Sequence, residues 1–310
     1  MKVLVTGGTG LVGKNLQSLV HNIKTCEFTF LSSKHLDLTN RRQTIEYLKK
    51  TDFHTVVHLA ANVGGLFKNQ NNQLTMFVDN IDINTNILLG SVQSSSIKRV
   101  IMILSTCIFP DEYSDNINEQ LLHKGPPHSS NRGYAYAKRM GAVMADIINS
   151  IQTTTNIQLI TPTNLYGIYD NFDLENSHVI PSLIRKCVDA KRNNSILTVR
   201  GTGIPLRQFL YVSDLCIIIK DTILYNIQYN HMIVAPLQEY SIKTIVYKIS
   251  DIVELDHNLI RFTDKKEEDG QVRKFAKSNV FDDIFPNFKF TDIDLGLRYA
   301  IKSYQSLNRK

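Results

Sequence analysis

Tyr134 and Lys138 stand four residues apart beside a stretch with helical spacing at 135–148, so their polar heads share one helix face. A phenol with a pKa of ~10 is a poor acid–base group at neutral pH. A neighbouring ammonium stabilises the phenolate and lowers that value. Such a pair can protonate a carbonyl oxygen as hydride reaches the carbon. Ser105 follows the apolar run at 100–104 and suits a hydrogen bond to the same oxygen. Tyr136, on roughly the opposite face, has no partner at that spacing and reads as a core or interface residue. Cys107 comes two residues after Ser105, and His178 closes a loop-rich stretch at 170–178. A thiol at a strand end is most often packing, and one loop histidine is most often solvated, so alone these two assign nothing.

Upstream, the apolar run at 3–5 leads through Thr6 into Gly7-Gly8-Thr9-Gly10-Leu11-Val12-Gly13 and a helical pattern at 11–20. Gly8, Gly10 and Gly13 fit GxGxxG; Gly7, Gly10 and Gly13 fit GxxGxxG. In either reading glycine permits the tight turn, lets backbone approach a pyrophosphate and lets the helix pack on the strand. The helix N-terminus adds free N–H groups and the positive end of its dipole. A strand before and a helix after are the context such a loop requires, and a dinucleotide site is predicted over these seven residues. An NAD site places an acidic residue ~20 positions on, to hold the ribose 2′-hydroxyl. Here that place is taken by Ser33, with Lys34 beside it. A hydroxyl and an ammonium suit a 2′-phosphate, so NADP(H) is expected. Asp37 is placed to accept a hydrogen bond from the adenine amino group. Leu59, Ala60 and Ala61 supply small residues where backbone must pass close to the cofactor.

Around these residues, short apolar runs at 3–5, 28–31, 56–59, 100–104 and 157–160 alternate with helical patterns at 11–20, 44–49, 76–92 and 135–148. That alternation predicts an α/β fold, a Rossmann-type doubly wound parallel sheet. After Gly167 loop-rich segments separate shorter elements, and a smaller C-terminal substrate-binding lobe is expected over the carboxyl ends of the strands. The boundaries read are 1–165 for the NADP-binding domain and 166–310 mainly for the lobe, with later strands free to return to the sheet. At 310 residues the chain can bury a core without disulfide or metal. Its 43% hydrophobic and 21% charged residues exclude wholesale disorder, and no apolar run approaches the ~18 residues of a membrane span. The net charge of +6 is scattered rather than clustered, which argues for a phosphorylated small molecule over nucleic acid. Cys26, Cys107, Cys187 and Cys216 show no metal-ligand spacing with the histidines, and free thiols point to a reducing, cytoplasmic setting. Cys26, Cys187 and Cys216 read as core. The chain opens directly on a strand-like run, which leaves no room for a signal peptide.

Glycine loop, Ser105 and the Tyr134/Lys138 pair, in that order, resemble the extended short-chain dehydrogenase/reductase family over nearly the whole chain. The runs Val63-Gly-Gly65, Ser105-Thr-Cys107-Ile-Phe-Pro110, Gly125-Pro-Pro127, Pro162-Thr-Asn-Leu-Tyr-Gly167, Asn176-Ser-His178 and Arg207-Gln-Phe209 resemble those members that act on GDP-4-keto-6-deoxymannose. The resemblance implies inversion of carbons 3 and 5 and reduction of the C4 ketone with NADPH. Both carbons flank the ketone, so loss of either proton gives an enolate with its charge on O4. Inversion needs one group to remove the proton and another to return it on the opposite face. The resemblance makes Cys107 the base and His178 the acid, and reference pKa values of ~8.5 and ~6.5 suit that exchange. Ser105 and Tyr134 would hold the enolate oxygen, and Tyr134, beside Lys138, would protonate O4 during reduction.

The same resemblance assigns Leu38, Pro162, Thr163, Asn164, Leu165 and His178 to the cofactor cleft. It assigns Asn164, Lys186, Arg200, Arg207 and Asp269 to the nucleotide sugar, with Arg207 suited to grip the diphosphate. The family pattern carries an aromatic residue, commonly Trp, before the Gly-x-Gly that here is Gly201-Thr-Gly203; this chain has Arg200 there and no tryptophan. A guanidinium plane also stacks on a base but offers different hydrogen bonds. The helical stretches at 76–92 and 135–148 match those that pair across a dimer in the superfamily, so a homodimer is expected. Two other readings make different demands. A redox-neutral NAD-dependent epimerase or dehydratase calls for an acidic residue after the second strand, and dehydratases carry Asp-Glu where this chain has Thr106-Cys107. A non-enzymatic NADP-sensing scaffold has no use for Ser105, Tyr134, Lys138, Cys107 and His178 together.

Overall fold

A computed structural model describes residues 1–151 and 153–307. The first half runs β1 (Lys2–Thr6), α1 (Leu11–Val20), β2 (Glu27–Leu31), α2 (Arg41–Lys50), β3 (Thr55–His58), α3 (Leu66–Asn71), α4 (Gln73–Gln93), β4 (Arg99–Ile103), α5 (Arg132–Ser150) and β5 (Asn156–Pro162). Then come β6 (Asn164–Tyr166), α6 (Val179–Asn193), β7 (Leu197–Val199), β8 (Leu206–Arg207), β9 (Phe209–Tyr211), α7 (Val212–Leu224), β10 (His231–Val234) and β11 (Tyr240–Ser241). The chain ends through α8 (Ile242–Val253), β12 (Ile260–Phe262), β13 (Arg273–Lys274), α9 (Asn279–Ile284) and α10 (Ile293–Leu307).

Six strands form a parallel sheet in the order β10-β5-β4-β3-β1-β2. The sequence direction reverses at β1/β3, the switch point where ligands of open α/β sheets sit. The central strands are buried on both faces, whereas β2 at the edge is only partly so, and side chains alternate between two cores. Leu4, Val56, Val100 and Met102 pack with Leu48, Ile87, Leu88 and Ala142 from α2, α4 and α5. Their neighbours Val3, Val5, Val57 and Ile101 face the other way, onto Leu16 of α1, Leu215 and Ile219 of α7, and Phe281 of α9. Each such side chain contributes roughly 1.5–3 kcal/mol by leaving water.

A buried imidazole ties two strand ends together. His58 is fully buried at the end of β3, with Nε2 3.1 Å from Asn84 Oδ1 and Nδ1 2.9 Å from Thr6 Oγ1. Because the Asn84 oxygen can only accept, Nε2 carries the proton and Thr6 donates to Nδ1. Thr6 Oγ1 in turn accepts from Ala60 N at 3.2 Å. The carboxyl ends of β1 and β3 are thereby locked to α4, directly behind the glycine turn.

The chain returns to the sheet after residue 165: α7 packs against α1, and β10 pairs with β5. A separate core gathers Tyr166, Ile180, Ile184, Phe209, Ile245, Ile249, Leu297 and Ile301, chiefly from α6, α8 and α10. The small β11-β8-β13 sheet lies beside it, with Lys274 in register with Arg207.

Candidate active site

A cleft of about 1580 Å³ runs along the carboxyl ends of the strands. One wall is built from the segments that leave β1 to β5, and the other from α6 and the segments at 199–207 and 268–274. Ser105, Cys107, Tyr134, Lys138 and His178 all line it, as do Asn164, Lys186, Arg200, Arg207 and Asp269. So do Gly7, Thr9, Gly10, Leu11, Val12, Gly13, Ser33, Asp37, Leu38, Leu59, Ala60, Ala61, Pro162, Thr163 and Leu165.

Gly8 and Lys34 are not in that wall. Gly8 faces β2, where an added Cβ would lie 2.8 Å from Phe30 Cβ, so its small size serves strand packing. Lys34 is exposed in the turn that His35 N closes onto Ser32 O at 3.0 Å. Of the two glycine spacings, Gly7, Gly10 and Gly13 are therefore the three around the cleft. Gly7 has φ +70° and Gly13 would put a Cβ 2.4 Å from Gly7 O, so turn and helix close onto each other only without side chains. Gly10 is the N-cap of α1 with no side-chain cap and no acidic residue in the first turn, which leaves the first N–H groups for an anion. Three buried oxygens of cleft residues, Thr163 Oγ1, Asp170 Oδ2 and Ser177 Oγ, have no hydrogen-bond partner among the described residues. The bare glycine turn at a helix N-terminus fits the pyrophosphate of a dinucleotide, and the unpaired oxygens elsewhere in the cleft are open to a ligand's donor groups. Asp37 differs from expectation in one respect: its Oδ1 already accepts from Thr39 N at 3.0 Å and Thr39 Oγ1 at 2.7 Å.

The reacting groups meet where β4 ends. Ser105 caps a short turn, its Oγ accepting from Cys107 N at 3.3 Å, which fixes hydroxyl and thiol side by side. Lys138 is buried on α5 and donates to Ile103 O at 3.0 Å. Burial pushes its ammonium down to about 8. The lowering expected for Tyr134 is absent. Burial first, and then the neighbouring Cys107 sulfur, push the phenol up, while the Lys138 ammonium is engaged with the Ile103 carbonyl. Tyr134 thus holds its proton at neutral pH, the state a proton donor needs.

Burial alone would raise the Cys107 thiol. The Lys274 ammonium, the Ser105 hydroxyl and the Arg207 guanidinium outweigh it and hold the thiol below its ordinary value. His178 is the N-cap of α6, and desolvation against the cleft holds its imidazole below the ordinary value. The loop before it is fixed by Gly65, whose N–H donates to Asn176 O at 3.1 Å and whose added Cβ would lie 2.3 Å from Ser177 O.

At the far end Lys186 is held below its usual value by burial and then by Arg200, so two cations share this wall. Arg207 donates to Leu206 O and Gln271 O, each at 2.7 Å. Asp269 accepts from Thr202 N and Oγ1, both at 2.8 Å. Gly201, at φ +80°, would place a Cβ 2.2 Å from that carboxylate. Arg207 and Asp269 therefore also join the 268–271 loop to the strands beneath it.

Three cleft residues escape sequence reasoning. Asn131 Nδ2 and Lys274 Nζ both donate to Cys107 Sγ, at 3.6 and 3.3 Å. Lys68 Nζ donates to Asn62 Oδ1 and Val63 O. Asn131 carried a signal, three residues before Tyr134; Lys274 lies 167 residues from Cys107 and carried none.

Residues 3–227 match the model of the NAD dependent epimerase/dehydratase family. A GDP-L-fucose synthase of Dictyostelium discoideum is 39% identical over 99% of this chain and 97% of its own. A probable GDP-L-fucose synthase of Drosophila melanogaster is 36% identical over 98% and 97%. The crystal structure of a GDP-L-fucose synthetase from Naegleria fowleri bound to NADP superposes with a TM-score of 0.89 at 35% identity, over 100% of this chain and 94% of that one.

Proposed function

From the premise that the chain belongs to the NAD dependent epimerase/dehydratase family, among relatives that are GDP-L-fucose synthases over nearly its whole length, we infer an NADPH-dependent enzyme. It inverts carbons 3 and 5 of GDP-4-keto-6-deoxymannose and reduces the C4 ketone, giving GDP-L-fucose. The observation that carries this reading is a single cleft holding a dinucleotide-type glycine turn, a Ser105/Tyr134/Lys138 group and two further proton-exchanging residues, Cys107 and His178.

Gly7, Gly10, Gly13 and the first turn of α1 would hold the pyrophosphate, with Ser33 toward the 2′-phosphate. When bound, NADPH supplies hydride to C4. Ser105 and Tyr134 bind the ketone oxygen and stabilise the negative charge that grows there when a neighbouring C–H bond breaks. Cys107 takes the proton from carbon 3 or 5, and His178 returns one on the opposite face. Tyr134 then protonates O4 during reduction, and the Lys138 ammonium, one helical turn along α5, stabilises the phenolate left behind. Lys186, Arg200 and Arg207 supply positive charge for the diphosphate and guanosine end. An acidic ribose anchor at Ser33 and an Asp-Glu pair at Thr106-Cys107, which a redox-neutral NAD enzyme or a dehydratase would use, are both missing from the sequence.

A homodimer belongs to this reading. It is supported by apolar side chains left exposed on two helices packed against each other: Leu74 (76%), Phe77 and Val78 on α4, with Met140 and Ile147 (55%) on α5. A face of this kind favours a second copy. A cytoplasmic setting is supported by four cysteines that remain free thiols. Among the described residues no helix is long and apolar enough to cross a membrane.

The test follows NADPH absorbance on adding GDP-4-keto-6-deoxymannose. Oxidation of NADPH with GDP-L-fucose as product is expected. No oxidation with this ketosugar, under conditions where the protein binds NADPH, would sink the reading.

A further inference from the structure

The Cys107 sulfur receives two nitrogen donors, Asn131 Nδ2 at 3.6 Å and Lys274 Nζ at 3.3 Å. A neutral thiol is a weak acceptor, whereas a thiolate accepts charge-assisted bonds. Lys274 is itself only 8% exposed; among the described residues it forms no ion pair with a carboxylate, and its ammonium donates to this sulfur alone. A buried ammonium is costly without a counter-charge, and the sulfur is the group in place to provide one.

The position of Lys274 is rigidly set. Its strand, β13, pairs with β8 so that Lys274 lies beside Arg207. On one side Arg273 Nε binds the Glu239 carboxylate at 2.9 and 3.0 Å. On the other, Phe275 N donates to Ser114 O at 2.7 Å and Ala276 N to Gln208 Oε1 at 2.7 Å. The other polar groups around the thiol are the Ser105 hydroxyl, the Tyr134 phenol and the Arg207 guanidinium. Arg207 is engaged with two backbone carbonyls, so Lys274 is the cation aimed at sulfur.

We propose that Lys274 is a positioning residue for the epimerisation: its ammonium is the fixed counter-ion of a Cys107 thiolate and holds that sulfur as the base. The proposal rests on the epimerase reading above. In each inversion an S–H bond forms as a C–H bond breaks, and the electron pair moves to O4. His178 then gives a proton to the same carbon from the opposite face, and before the second inversion the thiol releases its proton to solvent while the imidazole takes one up. The productive state is thus Cys107 thiolate with protonated His178. The more Lys274 favours the thiolate, the larger that fraction becomes.

The test compares wild type, Lys274→Met and Lys274→Arg by two readouts. The first is alkylation of Cys107 by iodoacetamide across pH, read on the Cys107 peptide by mass spectrometry; thiolate sulfur displaces iodide. Lys274→Met is expected to slow alkylation at pH 7 about tenfold, with the deficit disappearing at high pH, while Lys274→Arg keeps most of the rate. The second is solvent deuterium exchange at carbons 3 and 5. Lys274→Met is expected to lower exchange at pH 7 about tenfold and to move the limb that titrates with Cys107 upward. Coincident alkylation profiles for wild type and Lys274→Met would overturn the proposal. A shifted alkylation profile with an unmoved exchange profile would overturn the role in epimerisation while leaving the ion pair. Absence of exchange in the wild type would instead sink the epimerase reading, and with it this role. If Lys274→Met does not fold, loss of alkylation at pH 7 in folded Lys274→Arg would contradict the account, and retention would support it.

Discussion

Lys138 Nζ donates to the carbonyl of Ile103 at 3.0 Å, tying α5 to the last residue of β4 two positions before Ser105. That bond fixes the Tyr134 helix relative to the serine. With the Tyr134 proton held at neutral pH, Tyr134→Phe removes the donor for O4 but leaves Ser105, Cys107 and His178 in place. Reduction is expected to fall by a factor of about 10² or more, while deuterium still exchanges into the ketosugar. Retention of full NADPH oxidation by this variant would remove Tyr134 from the proposed role.

Cys107 and His178 together predict a bell-shaped pH dependence for deuterium exchange. Both are held below their ordinary values, so the bell as a whole lies below the range that a free thiol and a free imidazole would set. Each limb belongs to the pair and not to either residue alone. A rate rising without limit toward pH 10 would show that no protonated partner is needed.

Two glycines of the turn separate folding from binding. A Cβ on Gly13 would lie 2.4 Å from Gly7 O and 2.7 Å from Gly8 Cα, whereas one on Gly10 meets only Gly7 O at 3.3 Å. Gly13→Ala is expected to cost on the order of 2–4 kcal/mol of stability by forcing α1 off β1. Gly10→Ala should keep the melting temperature within a few degrees but weaken NADPH binding about tenfold or more, because the added methyl narrows the approach to backbone. Thermal melts and NADPH titrations of both variants check this contrast; equal melting temperatures would contradict it.

His58 makes the fold sensitive to acid. Burial, then the Lys138 charge, press its imidazole from 6.5 down to about 3, against the opposing hydrogen bond to Asn84. Between those values the unfolded chain binds a proton that the native state refuses, so stability rises with pH across that window and is lost as pH falls through it. The slope is ~1.4 kcal/mol per pH unit for this one group. His58→Gln is expected to melt lower at pH 7 yet to lose less between pH 6 and 4. Parallel curves for the two proteins would refute the assignment.

The first half of the molecule was legible because its central strands β1, β3 and β4 are almost wholly buried and its helices amphipathic. The run at 100–104 became β4 over Arg99–Ile103, and the pattern at 11–20 became α1. The glycine spacing was ambiguous in sequence, since Gly7 and Gly8 are adjacent, and only the contact with Phe30 separates their duties. Lys34 was adjacent to the expected phosphate site by number, but the Ser32–His35 turn leaves it outside the cleft wall. Later elements such as β8 and β13 are two residues long, too short for any period to register. The meeting of Lys274 with Cys107 depends on that pairing, so no local pattern could announce it. The direction of the Tyr134 shift was also beyond sequence, because it turns on burial and on the neighbouring Cys107 sulfur.

The central claim is that one ketone serves both inversion and reduction, and it is tested most directly by running the reaction with GDP-4-keto-6-deoxymannose and NADPH in D₂O. The account predicts GDP-L-fucose carrying deuterium at carbons 3 and 5 and protium at carbon 4, where the hydride arrives. A reduced product with protium at carbons 3 and 5 and unchanged configuration there would contradict it.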